Sequence, residues 1–550
     1  MIRRIATVGG LTLVSRLSGF IRDVVMAAIL GAGPVADAFF VAFRLPNHFR
    51  AIFAEGAFAA AFVPAYAHTL EKAGLPAAKL FADQVGAALI AINLVLLAIA
   101  LLFTADVVML LAPGLSDDPQ RFDLAVALTR ITFPYLALVS LETLFAGILN
   151  ANNRFASAAG ASILLNVSLI ATLALAPYFE SAGHAAAWGV LIAGFAMVLL
   201  VGGDAEMHGY GIRLRIPKLD EPTRRFLKAL GPAIIGAGGV QLALFADTVI
   251  ASFLPTGALS ALYYADRINQ LPIGVVGIAV GTVLLPEMSR RLAAGDTKGA
   301  ASAQARGIQL ALLLTLPCAA AAIAIPDLIM RALFARGAFT SQDALSAGHT
   351  LAAYSLGLIP FVLLRSFTAP FYARGDTATP VKAALLAAAV NIALKVVLMG
   401  PLAQVGLALA TSIGAWINLV LLAVLARRQG FAVSGAAIGG PVTKLAVIGI
   451  AFAVALYFGG LGLENALSSM TKFREETILG VLVVVGGIVY FAAVFLVLGR
   501  RWFTGLMKEI EHEPRSPRRS SRTYRRSDGC VGKPPGLRAA AQDLAGRVSA

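Results

Sequence analysis

The sequence predicts an all-α integral membrane protein, and three observations carry the prediction. Of its 550 residues 58% are hydrophobic and only 14% charged, with a mean hydropathy of +0.80, against roughly half apolar and a quarter charged in an average soluble domain. Apolar runs follow one another along the chain, many of them reaching the ~20 helical residues that cross a hydrocarbon core ~30 Å thick. These runs are continuous and do not alternate, which excludes the closed barrel, the other way to satisfy every backbone polar group in lipid.

Read between polar breaks, the runs predict helices over 7–30, 35–66, 82–112, 122–150, 155–177, 184–204, 226–253, 258–288, 303–334, 342–372, 379–400, 403–426, 441–461 and 476–499, fourteen in all. The first resembles a signal peptide, with Arg3 and Arg4 ahead of an apolar run. Arg16, Arg22 and Asp23 inside that run mark it instead as a retained helix. Lys and Arg fall on alternate sides, at Arg3/Arg4, Lys72/Lys79, Arg154, 213–228, Arg290/Arg291/Lys298, Arg374/Lys382, Arg427/Arg428 and the tail. By the positive-inside rule those sides and both termini are cytoplasmic, in a cell inner membrane. Arg336, Lys472 and Arg474 are exceptions. The net charge of +15 therefore reports membrane orientation and not nucleic-acid binding.

The chain repeats itself. RDVVMAAILGAGPVADAFFVAFRLPN returns as ADTVIASFLPTGALSALYYADRINQ at an offset of about 222 to 224 residues. The repeat predicts two pseudo-symmetric six-helix lobes around a central cavity, with alternating access, and two further C-terminal helices. The segments are 1–206 (helices one to six), a basic cytoplasmic linker at 207–225, 226–430 (helices seven to twelve), 441–499 (helices thirteen and fourteen) and a basic tail at 500–550. The linker's I-R-L-R-I alternation could form a surface segment. The Arg/Ser/Pro-rich tail reads as disordered and able to touch anionic membrane lipids.

Charge inside the spans is the most informative feature. Helix one carries Arg16, Arg22 and Asp23; helix two Asp37, Arg44, Arg50 and Glu55; helix eight Asp266 and Arg267. Each ionised group at mid-membrane costs at least ~2.5 kcal/mol, so these groups face partners or a wet cavity. Mutual pairing, Arg22 with Asp23 or Arg50 with Glu55, is one account. An anion-binding cavity is the other, and arginine's planar fork suits phosphate oxygens. Pro46, between the arginines, predicts a kink or an unwound turn, with Asn47 bonding locally. Asp247 on helix seven, with Asn391 and Lys395 one turn apart on helix eleven, forms a cation site or an ion pair.

Signals of soluble enzymes do not appear. The six histidines are scattered, no Walker lysine motif is present, and GAGPVA follows a helix with no strand before it, so neither a metal centre nor nucleotide chemistry is expected. Cys318 and Cys530 suggest no disulfide framework. The reading is a transporter and not an enzyme.

The segments SRLSGFIRD, GAGPVADAFFVAFRLPNHFR, IFAEGAFAAAFVP, YYADRINQLPIGVVGIAVGTVLLPEMS and FYARGDTATPV resemble the MurJ/MviN family of lipid II flippases, from about residue 5 to about residue 500. The resemblance implies the fold of the multidrug/oligosaccharidyl-lipid/polysaccharide exporters and delivery of undecaprenyl-pyrophosphate-linked disaccharide-pentapeptide to the outer leaflet for peptidoglycan synthesis. Arg16, Arg22, Asp37, Arg50 and Arg267 match the family's cavity charges, and helices thirteen and fourteen its lipid-tail groove. Cell-wall synthesis machinery is a possible partner. Asp247, Asn391 and Thr411 match a sodium site found in some members, whose second aspartate position holds Lys395, an ammonium that argues against sodium coupling; no cofactor is expected. A flippase for another lipid-linked oligosaccharide, a cation-coupled drug antiporter of the same fold and a non-transporting scaffold are the alternatives.

Overall fold

The computed structural model describes residues 2–50, 57–213, 215, 220–431, 435–470 and 472–511. Glu55, Cys530, part of the linker and most of the tail lie outside the described residues, as does the side chain of Arg50. Among the described residues every regular element is helical, and ten helical stretches are long and apolar enough to cross a membrane. Large apolar side chains stand on the outside, Leu496 at 81% exposure and Leu102 at 77% among them, as a surface solvated by lipid tails requires.

The first half begins with α1 (Ile2–Leu30) and α2 (Pro34–Arg50), joined at Gly31, whose φ of +69 ends α1 and suits a residue without a Cβ. Next come α3 (Ala57–Leu102), α4 (Thr104–Leu111), α5 (Pro119–Thr132), α6 (Tyr135–Ala151), α7 (Ala156–Ala174) and α8 (Ala182–Met207). Asp118 caps α5 by accepting from Gln120 N and Arg121 N. Gly189 lets α8 approach Leu169 and Thr172 of α7, where a Cβ would collide with the Thr172 hydroxyl, a small-residue contact typical of membrane helices.

The second half holds α9 (Glu221–Ser252), α10 (Ala258–Pro272), a π-helical turn at Ile273–Gly277 and α11 (Ile278–Ala293). It continues with α12 (Thr297–Ala324), α13 (Pro326–Phe334), α14 (Ser341–Ser355), α15 (Leu358–Tyr372) and α16 (Ala378–Arg428). Thr340 and Asp343 make a reciprocal capping box on α14. Ahead of α16, hydrogen bonds from Thr379 hold the Asp376 carboxyl below its ordinary range. The last two helices, α17 (Gly435–Ala466) and α18 (Arg474–Glu511), lie against α12, with Phe452 and Tyr490 rings 5.3 Å apart and the Tyr490 hydroxyl donating to Leu313 O at 2.9 Å.

Several boundaries differ from the sequence reading. The interval between the second and third predicted helices is itself helical, broken only at Gly74 (φ 77), and the two predicted helices at 379–426 form one run broken at Ala403 (φ 46). The unwound turn expected at Pro46 is absent: α2 runs through it. Proline deprives the Ala42 carbonyl of its helical partner, and the Thr132 hydroxyl of α5 donates to that oxygen at 2.8 Å. Asn47 Nδ2 bonds locally to Phe43 O at 3.0 Å. The described part of the linker is held to α3: Asp83 accepts from Arg213 N at 2.7 Å and pairs with Arg215 at 3.2 Å.

Candidate functional site

The halves of the chain meet along α2 and α10. At one end of this seam Asp37, 0% exposed, accepts from Gly257 N (2.7 Å), Ser260 N (3.0 Å) and the Ser260 hydroxyl (2.7 Å). Its carboxylate thus caps the N-terminus of α10, where unpaired N–H groups favour negative charge. Arg121 of α5 reaches both Asp37 (3.5 Å) and the Thr256 hydroxyl (3.1 Å). Gly114 N donates to Ser252 Oγ at 3.0 Å, and Ala338 N to Ala28 O at 2.7 Å. Below this latch the rings of Phe40 and Tyr263 stack at 4.0 Å, and Tyr264 packs on Phe40, Phe334 and Phe339. Asp37 was read as lining a cavity beside the arginines. It is instead sealed in an inter-half cap, because its oxygens find N–H donors on a distant helix terminus.

The arginine cluster lies past the aromatic seam. Arg22, 7% exposed, binds Asp23 Oδ1 through Nε (3.1 Å) and Nη2 (2.7 Å) and Asn166 Oδ1 through Nη1 (2.9 Å). Asp23 also accepts from the Tyr263 hydroxyl (3.1 Å) and faces Arg267 Nε at 3.6 Å. Arg267 donates to the Tyr263 hydroxyl at 3.2 Å and lies over that ring, 4.8 Å from its centroid. Arg16 is exposed and touches Gly274, where a Cβ would stand 2.7 Å from Nη1. The arrangement sets Arg22 and Arg267 against Asp23 and leaves excess positive charge, with the exposed Arg16 and part of Arg267 presented to open space. Arg44 faces Asp266, which also accepts from Gln270 at 2.8 Å and feels Arg267 and Lys395.

Lys395, buried on α16, places its ammonium 2.5 Å from Asp247 Oδ1 of α9. Thr411 is turned to Leu407 O at 2.9 Å, and Asn391 Oδ1 is buried with no hydrogen-bond partner among the described residues. A sodium ion would need the carboxylate that Lys395 already holds, so this donor set does not fit one.

Sequence reasoning found the charges and missed their partners. Asn166, Tyr263, Ser260 and Arg121 are uncharged or sit in ordinary helical pattern, and their roles depend on contacts more than 80 residues away. The repeat offered one signal: Asp37 and Ser260 lie 223 residues apart, as do Phe40 and Tyr263.

Many apolar helices, halves latched at one end and guanidinium groups left open beyond the latch define a membrane transporter for an anionic cargo. The chain belongs to the lipid II flippase MurJ family, whose model matches residues 26–471. It is 43% identical over 502 residues to a probable lipid II flippase MurJ of Rhizobium meliloti, covering 90% of this chain and 94% of the relative. It is 34% identical over 440 residues to the lipid II flippase MurJ of Burkholderia cenocepacia, covering 78% and 84%. A solved lipid II flippase MurJ in an inward closed conformation superposes with a TM-score of 0.74 at 25% identity, covering 91% of this chain and 99% of that one. An inward-facing multidrug resistance MATE family transporter of the MOP superfamily shares the fold at a TM-score of 0.62 and 14% identity, covering 76% and 94%.

Proposed function

We propose that this protein translocates lipid II, the undecaprenyl-pyrophosphate-linked peptidoglycan precursor, from the cytoplasmic to the periplasmic leaflet of the inner membrane by alternating access. Family membership supports the cargo, and the observation that carries the mechanism is the pairing of Arg22 and Arg267 with one carboxylate, Asp23, beyond the latched seam, with exposed Arg16 against Gly274. Exposed Arg16 and half-exposed Arg267 meet the diphosphate; buried Arg22, tied to Asp23 and Asn166, offsets the carboxylate that also pairs with Arg267. Arg44 and Asp266 border the path, and Arg50 and Glu55 continue the charge pattern of helix two. The latch at Asp37 closes the periplasmic side while cargo loads from the cytoplasm, and breaking it opens the cavity outward.

The family fold, the breaks at Gly74 and Ala403 and the pairing of short helices support fourteen crossings in two six-helix lobes (1–206 and 226–430) joined by the 207–225 linker. Helices at 441–499 then offer a groove for the polyprenyl tail, and both termini, with the 500–550 tail, are cytoplasmic. Translocation does not depend on sodium, because Lys395 supplies its own cation to Asp247. The membrane potential, negative inside, favours export of an anionic head.

The test replaces Arg16, Arg22, Arg50 and Arg267 singly by Ala in a cell depleted of its own flippase. Variants that are made but do not rescue, with lipid II confined to the inner leaflet, are the expected result. Full rescue by all four variants would overturn the reading.

A further inference from the structure

Three arginines meet the α10–α11 line. Arg267 is part of α10, Arg16 lies against Gly274, and the stem of Arg365 lies along Gly281, where a Cβ would stand 3.7 to 3.9 Å from the arginine's Cβ, Cγ and Cδ. Gly277, one turn before, faces the same stem at 4.0 Å. Gly274 lies in the π-helical turn at Ile273–Gly277 and Gly281 one turn beyond it on α11, so Arg267, Arg16 and Arg365 follow one another along the line. Arg16 comes from the other half of the chain, so at Gly274 the line borders the space between the halves.

Arg365 stands apart from the other charges on this line. It sits inside the span formed by α14 and α15 and is exposed, and among the described residues its guanidinium has neither a hydrogen bond nor an ion pair. It borders a cavity of about 210 Å³ whose walls include Thr282, Leu285, Thr368 and Tyr372. Gly277 and Gly281 line it as well, and a side chain larger than that of alanine at either would reach into it. An uncompensated cation within a span costs at least ~2.5 kcal/mol, and a mobile anion seated in the cavity would offset that. Of the three, Arg365 is nearest the end of α11, where Arg290 and Arg291 mark the cytoplasmic side.

We propose that Arg365 is a second anion subsite, which takes the phosphate of the cargo first and passes it to Arg16 and then to Arg267. This rests on the reading of the arginine-lined space as the path of a polyprenyl diphosphate. The recognised chemistry is a phosphate or diphosphate ester, which the guanidinium fork can grip through two N–H bonds. Bulk phospholipid offers the same group, so the test separates the two sources.

The full chain in phosphatidylcholine nanodiscs is titrated with farnesyl diphosphate and, separately, with dioleoylphosphatidylglycerol. Arg365→Gln should weaken farnesyl diphosphate binding at least tenfold with an unchanged Tm, since no protein group loses a partner. Arg365→Lys should lose less. Gly281→Val, which keeps the charge and fills the room, should weaken binding as well and serves if Arg365→Gln fails to fold. Wild-type binding by Arg365→Gln beside weakened binding by Arg16→Gln overturns the subsite and leaves the path standing. Wild-type binding by both variants overturns subsite and path together. An effect confined to phosphatidylglycerol makes Arg365 an anchor for bulk lipid and overturns the proposal.

Discussion

Asp37 accepts two hydrogen bonds from Ser260, one from its backbone N–H at 3.0 Å and one from its hydroxyl at 2.7 Å, although the two residues are 223 positions apart. That separation falls within the offset of about 222 to 224 residues between the two copies, so the bond joins positions that are equivalent to within a residue. Phe40 and Tyr263, stacked at 4.0 Å, obey the same offset. Contacts between equivalent positions are what a two-fold axis between repeats produces. Asp37→Ala should therefore strip the α10 terminus of its cap and leave Arg121 without a carboxylate, a loss of roughly 3–5 kcal/mol. Ser260→Ala removes only one charge-assisted bond, roughly 1.5–3 kcal/mol. Thermal unfolding of both single variants and the double variant checks this; additive losses would refute a coupled latch.

The same seam depends on backbone closeness that only glycine permits. A Cβ at Gly114 would stand 2.5 Å from Phe253 N, and one at Gly337, whose φ is +60, would stand 2.2 Å from Ala28 O. Neither neighbour is a flexible side chain, so both substitutions should force the halves apart at this end. Gly114→Ala and Gly337→Ala should increase thiol labelling of a cysteine placed at Ala32, in a background with Cys318 and Cys530 replaced by Ser. Labelling no faster than in the parent would show that the seam closes by other contacts.

The membrane class was legible because the length of an apolar run is a direct consequence of bilayer thickness. Charges inside the spans were legible for the same reason, since lipid makes each of them costly. Partner identity was not. Asp37 is held by N–H groups that every residue carries, at a helix terminus no local pattern ties to it, and so it read as one more cavity charge. The break at Ala403 has φ 46 at an alanine, a conformation alanine does not announce, and the helix through 67–81 is hidden because Lys72 and Lys79 look like a loop when only hydropathy is scored. The glycines beneath Arg365 carry no signal in the sequence and acquire meaning only when its stem is seen against them.

At Pro46 the helix is kept whole by a residue of another element. Thr132 Oγ1 donates to Ala42 O at 2.8 Å, the carbonyl that proline leaves without its amide partner. Thr132→Val should cost roughly 1–3 kcal/mol, the penalty of an unsatisfied buried carbonyl. In a Pro46→Ala background the amide returns to that carbonyl, and the same Thr132→Val change should cost much less. Equal costs in the two backgrounds, measured by chemical or thermal unfolding, would show that the hydroxyl contributes nothing specific to the proline.

Lys395 and Asp247 make the energy source testable. The ammonium lies 2.5 Å from the carboxylate while Asn391 Oδ1, buried one turn away on the same helix as Lys395, has no donor among the described residues. Replacing sodium by choline should therefore leave both the Tm and the translocation rate of the wild-type protein unchanged. Lys395→Asp removes the tethered cation and supplies a second carboxylate beside Asp247 and the Asn391 oxygen, a donor set suited to a hard cation. That variant should gain sodium-dependent stability, about 2.7 kcal/mol at a sodium concentration a hundred times its Kd, with little response to choline. Lys395→Met, which removes the charge without adding a ligand, should be destabilised and unresponsive to either ion, because the half-buried Asp247 carboxylate loses its partner. A wild-type protein whose Tm rises with sodium, or whose translocation stops without it, would contradict the assignment of Lys395 as the resident cation.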